Sequence, residues 1–155
     1  MSVSRTRLLL GLTGSMLLAA CGGGDSQPCL NCPSDLPDGG LYATFKVVDE
    51  TFHAHILDSV GIEQAMALWQ GRSNATIPIG KLVCTPVVWN HPWAWYVDPE
   101  TLEFAEITIE VCDGKPSIVE GNCPSFGGGS YCPWAAKLVE LRDCRTDPSC
   151  PAVPR

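Results

Sequence analysis

Basic residues are scarce in this sequence. Lysine and arginine together number 10, against 17 aspartate and glutamate residues, so the 155-residue chain has a formal charge of −7. Binding to nucleic acid requires clustered Lys and Arg side chains against the phosphates, and electrostatic attraction to anionic lipid requires the same charges. The composition therefore argues against nucleic acid as a partner and against a membrane protein that is held by charge alone.

The sequence also lacks a membrane-spanning run and the common catalytic motifs. The apolar stretch at residues 8–20 has 13 residues, whereas a transmembrane helix needs about 20. There is no Gly-x-Ser-x-Gly nucleophile motif, phosphate-binding loop, dinucleotide fingerprint or His-Glu-x-x-His zinc motif. We therefore expect a protein that is not an enzyme and that needs no cofactor.

The N-terminus has the features of a bacterial lipoprotein signal peptide. Arg5 and Arg7 precede the short apolar run, and the run ends in Leu18-Ala19-Ala20-Cys21. This ending resembles the lipobox, in which cleavage occurs before a lipidated cysteine. Residues 1–20 are therefore predicted to be removed, and Cys21 to become a palmitate-bearing N-terminus that anchors the protein in a membrane. The alternative, an ordinary secretory signal with a chance cysteine, also exports the protein.

Residues 21–40 are predicted to form a tether between the lipid and the folded domain. They begin with the lipidated cysteine and three glycines and continue with polar, Cys and Pro residues, a composition that favours flexible or irregular chain. Gly22, rather than Asp, beside the lipidated cysteine resembles outer-membrane sorting in a cell with two membranes. We expect a lipoprotein of the bacterial cell envelope, on the outer membrane where the cell has two.

Cysteine is abundant, with nine residues. Setting Cys21 aside leaves an even number, which in an exported chain predicts disulfide bonds, although the number of possible pairings is too large for the sequence to assign them. Cys29 and Cys32 have the spacing of a redox or zinc pair, but prolines surround them and no strand-to-helix context follows, so a structural disulfide is the simpler interpretation. The eight cysteines are Cys29, Cys32, Cys84, Cys112, Cys123, Cys132, Cys144 and Cys150.

Periodicity predicts one α+β domain over residues 41–142, with a small antiparallel sheet and one main helix packed on it. Alternating apolar positions predict strands at 41–48, 51–57 and 76–83, and helical spacing after Asp58 or Ser59 predicts a helix that ends near Gly71. A hairpin is predicted from strands 93–97 and 102–111 around a turn at 98–101, with a bulge near Ala105 where the alternation changes phase.

The remaining elements are short. Pro116 is predicted to begin a helical turn that ends at Gly121, and a last strand is predicted around residues 134–138. Residues 143–155 contain Cys144, Cys150 and several prolines without periodicity, so this tail is expected to pack only through disulfides.

Several landmarks together resemble one known family. These are Thr51-Phe52 before a strand, Asp58 before the helix, the segment from Trp95 to Pro99, Ile109-Glu110-Val111-Cys112-Asp113, and Cys132-Pro133-Trp134. They are similar to the N-terminal domain of a calmodulin-binding protein family of the BP type, which also occurs as a stand-alone exported domain in bacteria. The resemblance spans about residues 41–141 and implies a disulfide between Cys112 and Cys132.

The resemblance does not imply calmodulin binding. Calmodulin targets offer a basic amphipathic helix, whereas residues 59–70 contain neither Lys nor Arg. The sequence also departs from the family pattern in its additional cysteines and in the glycine-rich loop at residues 126–129. These departures are consistent with an oxidising exterior, and calmodulin is not an expected partner.

A tryptophan-rich segment is the leading candidate for a binding surface. Trp89, His91, Trp93 and Trp95 lie between Pro86 and the predicted turn, and aromatic side chains often anchor partners. Trp93 and Trp95 also share one strand face, which favours a core position, so Trp89 is expected to be the more exposed. Our first hypothesis is a lipid-anchored binding domain that contacts an envelope or extracellular protein or a glycan.

Two other functions are compatible with the sequence. The loop from Cys84 to Pro92 could present an extended segment to a protease as an inhibitor, because disulfides and prolines lower the cost of ordering a loop. His53 and His55 project from the same strand face and, with His91, could hold the metal of a hydrolase. We expect neither a metal nor a catalytic carboxylate pair, because Glu103, Glu106, Glu110 and Asp113 fit a solvated strand face.

Overall fold

The computed structural model describes residue 36 and residues 39–155. The predicted signal peptide (residues 1–20), the lipidation site Cys21, most of the tether, and the pair Cys29 and Cys32 lie outside the described residues. The α-helices are α1 (Ser59–Trp69) and α2 (Pro116–Asn122), and 3-10 turns occur at Val88–Asn90, Glu110–Cys112 and Cys123–Gly128. The strands are β1 (Leu41–Val47), β2 (Glu50–Ile56), β3 (Ile77–Val83), β4 (Tyr96–Val97), β5 (Glu103–Ala105), β6 (Ser130–Tyr131) and β7 (Ala136–Asp143).

Three antiparallel strands form the first sheet, in the order β2-β1-β7. β1 and β2 pair along their whole length, from Leu41 opposite Ile56 to Val47 opposite Glu50. Alternate side chains of both strands, including Phe45 and Phe52, are fully buried on the inner face, as period-two patterning requires. The strands predicted at 41–48 and 51–57 are therefore confirmed, with small differences at their ends.

Helix α1 packs on this core and is tied to the start of β5. Asp58 caps the helix by accepting a hydrogen bond from the Gly61 N–H at 2.9 Å. Gly61 leaves room for the Leu102 carbonyl, because a Cβ at that position would lie 2.1 Å from the oxygen. Gln64 Oε1 accepts a hydrogen bond from the Phe104 N–H at 2.8 Å. The predicted α+β fold, with one main helix on an antiparallel sheet, is confirmed.

The second sheet is centred on β3, and it corrects the predicted hairpin. The expected turn forms, since the Thr101 N–H donates to the Asp98 carbonyl at 3.0 Å. However, β4 and β5 each pair antiparallel with β3, at Leu82–Val83 and at Ile77–Ile79 respectively, and not with each other. The hairpin prediction is wrong because the backbone groups of both strands are paired by β3.

The predicted strand 102–111 is also too long. Its sheet pairing ends at Ala105 opposite Ile77, and a 3-10 turn follows at Glu110–Cys112. The phase change near Ala105 is not a bulge but the point at which the chain leaves the sheet. Residues 106–109 therefore run outside regular structure.

Aromatic side chains from the two sheets meet in the centre of the core. The Phe45 and Phe52 rings stack with centroids 5.1 Å apart, and the Trp95 ring lies 5.9 Å from Phe52 and 5.2 Å from Tyr131. Each of these side chains is at most 1% exposed. Because large rings contribute much of the buried apolar area of a small domain, this cluster is its main source of stability.

Three disulfides join the described cysteines: Cys84 with Cys123, Cys112 with Cys132, and Cys144 with Cys150. The structure thus joins Cys112 to Cys132, the pair that the family resemblance implied. Each bond links a loop or turn to another segment, which restricts the unfolded chain and stabilises the fold.

The C-terminal tail is more tightly integrated than predicted. Besides the Cys144–Cys150 disulfide, its backbone extends the first sheet: the Asp143 N–H donates to the Pro151 carbonyl at 3.0 Å, and the Val153 N–H donates to the Leu141 carbonyl at 2.8 Å. Trp69 Nε1 donates to the Val153 carbonyl at 2.9 Å. The expectation that residues 143–155 pack only through disulfides is therefore wrong, because β7 offers a free edge that the tail covers. Among the described residues, no helix combines the length and apolar character needed to cross a bilayer.

Candidate functional site

The tryptophan-rich segment contributes mainly to the core. Trp95 is fully buried, and Trp93 is half-buried, stacks on Trp95 and donates from Nε1 to the Thr51 carbonyl at 2.8 Å. Both therefore have structural contacts, in agreement with the core interpretation of their shared spacing. His91 is exposed, whereas Trp89 is only half-buried rather than freely exposed.

Trp89 is held against the outer face of the first sheet. Its carbonyl accepts a hydrogen bond from the Tyr42 hydroxyl at 2.8 Å, and its ring contacts His55 edge-on with centroids 6.3 Å apart. Asn90, the next residue, is fully buried. Its Oδ1 accepts from the His53 N–H at 2.7 Å, and its Nδ2 donates to the Trp95 carbonyl at 2.7 Å.

Asn90 is a residue whose role the sequence did not reveal. Its neighbours in the chain are aromatic and attracted attention, but a single asparagine gives no signal that its amide connects a loop to a strand. The buried amide pairs both its donor and its acceptor, as burial of a polar group demands. The loop from Cys84 to Pro92 is thus fastened to β2 at its centre.

The two strand histidines are engaged within the fold. His53 Nδ1 lies 3.1 Å from the Thr44 hydroxyl oxygen, and His55 Nε2 lies 2.7 Å from the Gly39 carbonyl oxygen. Burial lowers the pKa of His53, opposed by the nearby Glu140 carboxylate. Burial also lowers the pKa of His55, opposed by the hydrogen bond to Gly39 and by Glu100. Both rings therefore favour the neutral form.

These histidines are not part of a metal-binding cluster in the described structure. Within residues 39–155, no three His, Cys, Asp or Glu side chains converge as a metal site requires. His53 and His55 do share a face, as predicted, but Thr44 and the Gly39 carbonyl take ring nitrogens that a metal would need. The geometry gives the metal-dependent hydrolase hypothesis no support.

A different surface has the largest exposed apolar side chains. Ile107 is 85% exposed, Ile109 68%, Val111 65% and Trp134 42%. The first three lie on the irregular segment after β5, and Trp134 follows Cys132 across the Cys112–Cys132 disulfide. We call these four residues the Ile107 ridge.

The direction of Thr108 explains why the isoleucines on each side of it face solvent. The Thr108 hydroxyl points inward, where it accepts a hydrogen bond from Trp134 Nε1 at 2.6 Å and donates to Cys132 Sγ at 3.2 Å. In an extended chain, neighbouring side chains point in opposite directions. Ile107 and Ile109 therefore project together, away from the domain.

Several bonds hold the ridge in place. The Cys112–Cys132 disulfide is accompanied by a hydrogen bond from the Cys132 N–H to the Cys112 carbonyl at 2.8 Å and by one from the Trp134 N–H to Asp113 Oδ1 at 2.8 Å. Gly127 packs beneath, so close that a Cβ on it would lie 3.0 Å from the Cys112 Cα. The segment is therefore exposed but well supported.

The surroundings of the ridge are acidic. Glu106, Glu110 and Asp113 are exposed between and beside its apolar residues. A small cavity of about 140 Å³ opens beside Trp134 and is lined by Ile77, Glu106, Ile107 and Thr108 as well. The ridge is thus an apolar projection with a negatively charged rim.

Sequence reasoning missed the ridge because it assigned its residues to a strand. The alternation of Ile107, Ile109 and Val111 is the pattern of a half-buried strand, and nothing in the pattern shows that β3 has no free edge for them. The change of phase near Ala105 was the available signal that the sheet ended there.

The fold and its disulfides define a small α+β domain of the kind found in oxidising compartments. A family model that describes the BP-type N-terminal domain matches residues 41–145, which is more than half of the chain. The protein therefore belongs to the BP-type N-terminal domain family, the family that the sequence landmarks resemble. No curated protein and no solved structure matches the chain.

Proposed function

We propose that the protein is an exported, lipid-anchored binding domain that contacts a protein partner through the Ile107 ridge. The observation that carries this proposal is the exposure of three aliphatic side chains, Ile107, Ile109 and Val111, on a segment fixed by a disulfide. Contiguous apolar patches on the surface of soluble proteins commonly mark interaction sites. The Trp89 to Trp95 segment is a weaker candidate, since most of its ring area already has contacts within the fold.

The geometry of the ridge suits binding in two ways. Burying an aliphatic side chain of this size contributes roughly 1.5 to 3 kcal/mol, so three of them supply a substantial driving force. The disulfide and the hydrogen bonds at Thr108 and Asp113 order the segment before a partner arrives, which lowers the entropic cost of association.

The chemistry of the ridge favours a protein over a glycan or a membrane. Sugar hydroxyls need hydrogen-bonding partners when they are buried, and the ridge presents mainly hydrocarbon. Anionic lipid would be repelled by Glu106, Glu110 and Asp113, which are exposed around it. The complementary partner is an apolar groove with a basic rim.

The proposed location rests on the N-terminal sequence and on the cysteines. Leu18-Ala19-Ala20-Cys21 supplies the lipidation site, and the three disulfides of the described domain fit an oxidising envelope compartment. Mass spectrometry of the purified protein is expected to show an N-terminal acylated Cys21. An unmodified Cys21 within an intact leader would contradict both the anchor and the processing.

Cross-linking in the native envelope tests the proposed surface. The full-length protein is compared with Ile107→Asp/Ile109→Asp and with Val88→Asp, which adds a charge to the Cys84 to Pro92 loop at a side chain of similar exposure, 64%. Quantitative mass spectrometry should find a cross-linked protein that falls at least tenfold in the ridge variant and stays in the Val88 variant, a loss of about 1.4 kcal/mol or more.

The opposite result would place the contact elsewhere. If partner capture survives Ile107→Asp/Ile109→Asp but is lost with Val88→Asp or Trp89→Ala, the tryptophan-rich segment is the binding surface and the ridge is not. Circular dichroism of each variant, with the wild-type spectrum as reference, excludes unfolding as the cause.

A further inference from the structure

We propose that the Ile107 ridge occupies the active-site cleft of an extracytoplasmic protease as a substrate-like segment, which makes the protein a protease inhibitor. This inference rests on the proposed function, because it names the partner of the same surface. It differs from the inhibitor hypothesis drawn from the sequence, which used the loop from Cys84 to Pro92.

The backbone of the ridge has the form in which peptides enter clefts by strand pairing. Residues 107–109 lie outside any helix or turn, and Ile109 is extended, with φ −86° and ψ 147°. Recognition of this kind uses main-chain hydrogen bonds for affinity and pockets for alternate side chains for specificity. Ile107 and Ile109 are such an alternating pair, with Thr108 turned inward between them.

The main chain of this segment is free to pair. Within the described part of the chain, the N–H groups of Ile107, Thr108 and Ile109 donate no hydrogen bond to another residue. The sheet pairing of β5 ends one step earlier, at Ala105. A cleft that offers an extended edge could therefore form hydrogen bonds along the ridge without displacing any within the domain.

The supports on both sides would make the segment a poor substrate. Hydrolysis of the Ile107–Thr108 bond would consume one water and leave a carboxyl group on Ile107 and an amino group on Thr108. β5 holds the first group, whereas the Trp134 bond to Thr108 and the Cys112–Cys132 disulfide hold the second. The new ends would stay together, so the product would dissociate slowly and the bond could re-form by the reverse step.

The Cys84 to Pro92 loop lacks this form. Its centre is a 3-10 turn at Val88–Asn90, and its backbone is bonded to the sheet through Tyr42 and Asn90. Only Val88 combines an apolar side chain with high exposure there. The extended, outward-facing backbone lies at the ridge instead.

The side chains specify the class of protease. Ile107 is the most exposed, at 85%, and would enter the primary specificity pocket, so the pocket must be apolar and accept a β-branched aliphatic group. Trypsin-type pockets, which carry an aspartate, would reject it, whereas elastase-type or chymotrypsin-type pockets are apolar. Glu106 and Glu110 on each side favour a cleft with basic residues at its rim.

Inhibition kinetics test the proposal with the full-length protein. It is titrated against elastase-type, chymotrypsin-type and trypsin-type enzymes and against the extracytoplasmic protease activity of its own host. We expect inhibition of at least one apolar-pocket activity and none of the trypsin type. Ile107→Gly should weaken inhibition about 10- to 100-fold, as expected for one buried aliphatic side chain, whereas Val88→Gly should leave it unchanged.

A gain-of-function variant keeps the test decisive. Ile107→Arg should abolish inhibition of the apolar-pocket enzyme and create inhibition of the trypsin-type enzyme. No inhibition of any protease, or inhibition that does not respond to either Ile107 variant, would overturn the inference. If ridge-dependent cross-linking persists in that case, the binding function stands and only the identity of the partner is wrong.

Discussion

Asn90 connects the tryptophan-rich loop to β2 through a single buried amide. Replacing it with alanine removes both hydrogen bonds of that amide, to the His53 N–H and from the amide to the Trp95 carbonyl. Each buried group that loses its partner costs about 1 to 3 kcal/mol, so Asn90→Ala should lower the free energy of unfolding by about 2 to 4 kcal/mol in chemical denaturation.

Asn74→Ala is the matched control for this prediction. Asn74 is exposed, and the same change there should stay within about 0.5 kcal/mol of the wild type. An Asn90→Ala protein as stable as the Asn74 variant would show that water replaces the amide without cost, and the loop would then not depend on this residue.

His53 and His55 should make stability depend on pH. Burial lowers the pKa of each below its ordinary 6.5, so between the folded-state pKa and 6.5 the unfolded chain binds more protons than the folded one. Acidification then favours unfolding. The contribution of the neutral histidines is complete above pH 6.5 and is lost as the pH falls below that value.

Denaturation at pH 7.5 and pH 5.5 measures this effect. The free energy of unfolding should be lower at pH 5.5, and His53→Gln/His55→Gln should reduce the difference because glutamine does not titrate. Carboxylates with ordinary pKa values remain ionised over most of this window. An unchanged pH dependence in the double variant would assign the effect to other groups.

Among the elements, the glycine-rich turn after Cys123 supports the Ile107 ridge from below. Gly127 and Gly128 both have positive φ, +56° and +66°, but only Gly127 packs against Cys112, whereas nothing lies within 4 Å of a Cβ at Gly128. Alanine at Gly128 should therefore cost about 1 kcal/mol from the left-handed backbone alone. Alanine at Gly127 should cost more, since crowding of Cys112 adds to the same backbone cost.

Comparing the two alanine variants separates strain from contact. Chemical denaturation gives each change in stability, and cross-linking gives its effect on partner binding. We expect Gly127→Ala to weaken both and Gly128→Ala to affect stability alone. Equal losses of binding in the two variants would mean that the turn affects the ridge through its backbone conformation rather than through Gly127.

The elements that could be predicted from sequence are those with a local signal. Asp58 caps α1 as its position suggested, and β1 and β2 follow their alternation. Period-two and helical patterns report burial of a segment by its immediate neighbours, and for these elements the neighbours in sequence are also neighbours in space.

The elements that could not be predicted depend on distant segments. β4 and β5 flank a correctly predicted turn, yet both pair with β3, a choice that the local pattern does not encode. Ile107, Ile109 and Val111 alternate like a strand but have no sheet to join. Asn90 and Thr108 act through side chains far from them in sequence, so the site emerged only with the tertiary structure.

At the scale of the whole molecule, charge should govern how fast the partner binds. The chain has a formal charge of −7, and removal of residues 1–20, which hold Arg5 and Arg7 but no acid, makes it −9. A basic-rimmed partner would be attracted to such a surface, and salt screens this attraction. The association rate constant should fall about tenfold as ionic strength rises from ~50 to ~500 mM.

The position of the responsible charges can be tested at constant net charge. Glu106→Gln/Glu110→Gln removes two carboxylates beside the ridge, whereas Glu63→Gln/Glu100→Gln removes two exposed ones on α1 and the turn before β5. Surface plasmon resonance with the captured partner should show a flatter salt dependence for the first pair only, because screening confines the effect of a charge to about 10 Å. Equal flattening by both pairs would assign the attraction to total charge, and the acidic rim would then have no particular part in recognition.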